Sequence, residues 1–257
     1  MGVIQTDEWL LKSYDNPIEL CKKLEVYFNE VSAYEIYDHL RMHGMYRPIN
    51  RGKEQINLMK KSEVWAVVQE QLSGLKERWN GPEIPVFIFP SDTTNRKLTR
   101  DFNGKSGLAF KDKLLLFISA ENERKEIEAL LTHEYNHACR LNRYKKNMED
   151  YCLLDTIILE GMAEYAVQEQ IGEEYVAGWT KYYTDNELKV LWEERIFPHR
   201  NKMRKHPLHD KLLYGFSLYP KMLGYSVGYY LIMKYTKENK SSAAELFTLP
   251  SEQFIRM

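Results

Sequence analysis

Apolar positions between residues 17 and 79 recur every three or four places: Leu20, Leu24, Tyr27, Phe28 and Val31, then Ile56, Met59, Val64, Val67, Val68, Leu72 and Leu75. That period lines them up on one face of a helix, and the stretch predicts three helices. Asn16 before Pro17 is a start signal, a cap followed by proline at the first helical position, and Asn80-Gly81-Pro82 is a stop. The period then changes. Ile84-Pro85-Val86-Phe87-Ile88-Phe89 is short, apolar and rich in strand formers, as a buried strand is, and Pro90-Ser91-Asp92 ends it. Residues 106–110 and 114–119 predict two more strands joined by Lys111-Asp112-Lys113, a polar connection suited to a hairpin. Gly104 and Gly107 mark a bulge or a close approach of backbone. Helical spacing returns over residues 123–143 and again over 150–170, where Ile171-Gly172 supplies a stop. Residues 197–210 hold Pro198 and Pro207 among His, Arg and Lys, and predict a loop, free to act as a lid. The expected class is α+β, mainly helical, with a small mostly antiparallel sheet. The expected organisation is an N-terminal helical region, 1–81, followed by a catalytic region, 82–257. The latter would hold the sheet (84–119), one helix over 123–143, a second over 150–171 and a helical C-terminal part.

Composition narrows the partners rather than the fold. At 257 residues and 44% hydrophobic content the chain can bury a substantial core. Its 36 basic and 37 acidic residues leave a net charge of -1, so no overall field draws nucleic acid or an anionic membrane, and neither is expected as a partner. Cys21, Cys139 and Cys152 are odd in number, far apart and without paired spacing, which fits reduced thiols in a cytoplasmic protein. The first eleven residues include Asp7 and Glu8 and no long apolar run, unlike a secretory signal or an anchor.

The chemistry concentrates in His133-Glu134-Tyr135-Asn136-His137, in the middle of the helix predicted over 123–143. Residues four apart stack on one helix face, so both imidazoles can reach one metal ion, with Glu134 beside them toward the metal's water. Zinc suits two imidazoles, and a catalytic zinc needs three protein ligands with one position left open. Glu160 is the best third ligand: it stands among apolar residues in Ile157-Ile158-Leu159-Glu160-Gly161-Met162, where an uncompensated carboxylate is costly. Glu164, one turn later, can lie outside it and accept a hydrogen bond from the free ring nitrogen of a ligand histidine. One zinc ion per chain is therefore expected.

With those residues in place the chain resembles the gluzincin class of zinc peptidases, in which H-E-x-x-H on one helix is completed by a glutamate on the next. Over most of its length it is similar to the YjaZ-like family of predicted zinc-dependent proteases. The resemblance implies a zinc metallopeptidase acting on peptide or protein substrates, with Glu134 as the base. It also implies an edge strand that holds extended substrate through its backbone. Ser106-Gly107-Leu108-Ala109 is the candidate, with Gly107, Leu108 and Ala109 as substrate-binding residues. A Tyr or His outside the motif would stabilise the oxyanion. Tyr225 is preferred, in Leu223-Gly224-Tyr225-Ser226-Val227-Gly228-Tyr229, whose two glycines four apart give a helix a smooth face; Tyr229, His206 and His209 are weaker alternatives. Two rival readings are a non-catalytic zinc-stabilised protein that binds peptides or proteins, and a hydrolase of small amides.

Overall fold

The helical start of the chain is more finely divided than its hydrophobic period suggests. A computed structural model describes residues 2–256 and divides the chain into two compact units, residues 1–138 and 139–257. In the first unit α1 (Thr6–Ser13), α2 (Pro17–Lys22), α3 (Ala33–Met42), α4 (Gly52–Lys61) and α5 (Val64–Trp79) precede the sheet. Local chemistry makes each break. Asn16 caps α2 by accepting the Glu19 N–H at 3.3 Å, with Pro17 behind it. Ser32 and Glu35 cap α3 reciprocally, each side chain accepting from the other's backbone N–H. Arg51 and Glu63 take left-handed backbone (φ 65° and 53°) just ahead of α4 and α5, which separates two helices that the apolar period alone would fuse.

Three short strands follow: β1 (Val86–Pro90), β2 (Ser106–Ala109) and β3 (Leu114–Ile118), in the order β1-β3-β2. Helix α6 (Arg96–Phe102), absent from the sequence expectation, lies between β1 and β2 and is capped by Asn95, which accepts from the N–H groups of Lys97 and Leu98. The class is α+β and mainly helical, as expected, and one of the two strand pairings is parallel: β1 runs alongside β3 with Val86 opposite Leu114. Parallel pairing needs a crossover, which α6 and β2 supply. The hairpin expected around Lys111-Asp112-Lys113 is present, with β2 antiparallel to β3 and the Phe110 N–H donating to the Lys113 carbonyl at 2.9 Å. Every residue of β1 and β3 is buried, whereas β2 is the half-buried edge. Helix α7 (Arg124–Arg143) then carries the histidine motif.

The second unit is built around α8 (Leu153–Gln170), buried on nearly all sides. Helices α9 (Asp185–Leu191), α10 (Pro207–Tyr214) and α11 (Leu223–Asn239) follow, then 3-10 turns at Ala243–Thr248 and Ser251–Ile255. Helix α11 lies against α8 at backbone distance. A Cβ on Gly228 would stand 1.9 Å from the Ile157 carbonyl oxygen, and one on Gly161 would stand 2.4 Å from the Gly228 carbonyl, so the two helices approach only because both positions lack side chains. Asp155, in the first turn of α8, is buried, yet held ionised. Burial alone would raise its pKa, but the Lys146 ammonium at 2.5 Å, the Cys152 N–H at 2.9 Å and the Ser251 hydroxyl at 2.7 Å outweigh that and lower it.

The segment expected to be a free loop over 197–210 is different in both halves. Its carbonyls cap α8: those of Lys202 and Arg200 accept the N–H groups of Leu153 and Leu154 at 2.8 and 2.9 Å, and the Arg204 N–H donates to Tyr151. A segment so fastened satisfies a helix end and lacks the freedom of a lid. Pro207, which reads as a loop signal, is instead the first residue of α10, where its missing N–H costs nothing. Among the described residues no helix is long and apolar enough to cross a membrane.

Candidate metal centre

The orientation of α7 is set by bonds on the side away from the histidines. The Tyr135 hydroxyl donates to the Pro82 carbonyl at 3.0 Å and its ring stacks on Trp79 at 6.0 Å. Thr132 accepts from the Gln71 amide at 3.0 Å and donates to its own helix at Glu128. With those two neighbours fixed, the i, i+4 period brings the Nε2 atoms of His133 and His137 to 3.1 Å from one another, their rings nearly perpendicular. Two nitrogens bound to one tetrahedral zinc at about 2.0–2.1 Å stand about 3.3 Å apart, so the pair is already spaced for a shared ion. His133, His137 and Glu160 each offer a ligand atom, and all three atoms lie within 4.8 Å of one another. Two imidazoles and one carboxylate form a donor set that zinc accepts, and among the described residues no fourth His, Cys, Asp or Glu joins the group.

Glu134, nearly buried at 8% exposure, is backed by the edge strand. A Cβ on Gly107 would fall 2.5 Å from the Glu134 Cδ, so the close approach that this glycine signals is to the carboxylate beside the histidines. Leu108 and Ala109 continue β2 opposite Leu115 and Leu114, and the other edge of β2 is not paired with any strand of the sheet.

The remaining predicted residues separate on their partners. Glu164 is buried and its Oε1 accepts the Ala177 N–H. Tyr229 donates to Gln168 at 2.9 Å and lies edge-on to Trp179. Burial, then the charges of Glu164 and Glu173, push its phenol up. His206 caps α10, its Nδ1 accepting the Leu208 N–H at 3.1 Å. His209, only 1% exposed, belongs to α10 rather than to a solvated loop, with Nε2 3.0 Å from the Thr156 hydroxyl and Nδ1 2.8 Å from Asp210. Tyr229, His209 and, through Nδ1, His206 thus have structural partners. Tyr225, half-buried on α11, packs against Trp179 and against Tyr214 at 5.7 Å.

Tyr214 itself is a residue that the sequence reading missed. It is a hydrogen-bond partner of Tyr225 and feels the charge of Glu160; burial first, and then that carboxylate, raise its pKa. A Tyr at the last position of a short helix carries no local signal, and only the fold brings it to the glutamate.

Residues 64–256 match the family described as predicted Zn-dependent protease, DUF2268. The chain belongs to that family. The uncharacterized protein YjaZ of Bacillus subtilis (strain 168) is 40% identical over 257 residues, covering 99% of this chain and 98% of that one. The uncharacterized protein YjfC of the same strain is 19% identical over 243 residues, covering 88% of this chain and 81% of the relative. No solved structure matches. The family match takes in α7 and α8, hence all three metal-ligating candidates, while helices α1 to α4 lie outside it, within the stretch that aligns with YjaZ.

Proposed function

We propose that the protein is a gluzincin-type zinc peptidase, a hydrolase that binds one Zn2+ per chain at His133, His137 and Glu160 and cleaves peptide bonds. The convergence of those three ligand atoms within 4.8 Å, next to a nearly buried glutamate, carries the reading. Bound there, the ion would supply Lewis acidity, making water acidic near neutral pH and polarising the scissile carbonyl. Glu134 takes the proton of the attacking water and passes it to the leaving amine. Strand β2 holds extended substrate at Gly107, Leu108 and Ala109 through main-chain pairing, and the absent side chain of Gly107 keeps Glu134 close to that strand. Tyr225, with Tyr214 as its hydrogen-bond partner, donates to the oxyanion. Glu164 supports the metal ligands from outside. A cytoplasmic setting accords with three buried cysteines that form no disulfide among the described residues.

Metal analysis and peptide hydrolysis test the reading together. Wild-type protein is expected to carry about one zinc per chain, as one catalytic site requires, and to cleave peptides. Glu160→Ala should lose most of the zinc. Glu134→Gln should keep it while losing at least about 10²-fold in rate. Zinc-loaded protein that cleaves neither peptides nor small amides would refute the peptidase assignment and favour a peptide-binding role. Cleavage of small amides alone would move the assignment to an amidase.

A further inference from the structure

The connection between α10 and α11, residues 215–222, displays apolar side chains on a backbone that is fixed. The Phe216 N–H donates to the Lys211 carbonyl at 2.9 Å, the Met222 N–H to the Tyr214 carbonyl at 2.9 Å, and the Lys221 carbonyl accepts the Tyr183 hydroxyl at 2.8 Å. Gly215 (φ 74°) turns the chain so tightly that a Cβ there would lie 1.8 Å from the Pro220 carbonyl oxygen. Held in that turn, Leu218 is 99% exposed and Phe216 46% exposed. A mobile loop exposes apolar groups only part of the time, but a fastened one presents them continuously, which is unfavourable unless something covers them.

What covers them follows from where the turn is attached. The stretch of α11 from Gly224 to Gly228 lies along α8 from Ile157 to Gly161, next to Glu160. Tyr225, in that stretch, contacts Tyr214 at 5.7 Å, and Tyr214 stacks on Phe216 at 5.3 Å with rings 24° apart. An aromatic series, Tyr225, Tyr214 and Phe216, thus runs from the part of α11 that packs on α8 to the turn that exposes Leu218. We infer that Phe216 and Leu218, backed by Tyr214, form a specificity lip that seats a large apolar side chain flanking the scissile bond of a peptide substrate.

This rests on the peptidase reading, and the experiment separates the two. Full-length zinc-loaded protein is given a peptide mixture varied at the residues around a central bond, and cleavage sites are mapped by mass spectrometry. Wild type is expected to favour Leu, Phe or Met beside the cleaved bond over Ala or Glu by at least about tenfold in kcat/KM, the discrimination that a few methylenes provide. Phe216→Ser with Leu218→Ser should bring that ratio to about one, while Val26→Ser, at an exposed apolar site elsewhere, keeps the wild-type preference. Binding to Glu134→Gln, followed by calorimetry without turnover, should show the same ranking of peptides and the same loss in the doubly substituted lip. Cleavage without apolar preference, or a preference that survives both substitutions in a protein melting as wild type does, overturns the lip and leaves the peptidase standing. No cleavage and no peptide binding by zinc-loaded protein overturns both.

Discussion

Gly107→Ala adds one methyl group and tests the link between edge strand and base. An ideal Cβ at position 107 falls 2.5 Å from both Cγ and Cδ of Glu134 and 2.6 Å from its Oε1. Non-bonded carbons rest at about 3.5–4.0 Å, so the carboxylate has to withdraw by about 1 Å. Glu134 is nearly buried and has little room for a cheap rotation. A displacement of about 1 Å in a reacting group costs about 10²-fold in rate. The three atoms nearest to that methyl all belong to Glu134, and none to the three candidate metal ligands. The backbone at Gly107 is outside the left-handed region, so alanine meets no backbone strain there, and its cost is the displacement of Glu134, about 1–3 kcal/mol of overpacking. The expected outcome is a folded variant with full zinc content and a kcat lowered by about 10²-fold, read by metal analysis, urea denaturation and peptide cleavage on one preparation. Wild-type kcat would mean that the strand does not position the glutamate. Lost zinc or a collapsed fold would mean that Gly107 serves the scaffold instead.

Two further outcomes bear on the second unit alone. Gly228→Ala drives a Cβ to 1.9 Å from the Ile157 carbonyl oxygen, a backbone atom that cannot turn aside, and should lower stability by about 3 kcal/mol or more in urea denaturation. Asp155, whose folded-state pKa lies below its ordinary 3.8, adds stability that is fully present above that value and is lost as the pH falls toward the folded-state pKa. Urea midpoints taken from about pH 5 to about pH 3 should therefore fall more steeply for wild type than for Asp155→Asn; parallel curves would remove Asp155 from the account.

The histidine pair was legible in the sequence because helix period is local: four residues make one turn whatever surrounds them, and the two Nε2 atoms converge as that spacing requires. Glu160 was legible as a candidate ligand through cost, since a carboxylate set among apolar residues calls for compensation, and its carboxylate does lie within 4.8 Å of the two imidazoles. The two glycines of α11 and Gly107 likewise announced close approach, although the sequence did not say to what. Helix α3 had a local signal that went unread, the Ser32 and Glu35 cap. Pro207 had one that points two ways, since proline both ends helices and begins them. Other features had no local signal at all. The parallel pairing of β1 with β3 depends on partners 28 positions apart (Val86 to Leu114) and on a crossover that closes only in three dimensions. The sorting of the polar candidates was equally non-local: His209 is held by Thr156, 53 residues away, and Tyr229 by Gln168, 61 residues away. Tyr214 is brought within the influence of the Glu160 charge by the same long-range packing. The sequence by itself determined which atoms can bind a metal, because that depends on residue type and helical period. Tertiary structure alone decided which polar candidates are held by structural partners and which strand lies against Glu134, because those depend on contacts that no stretch of neighbouring residues contains.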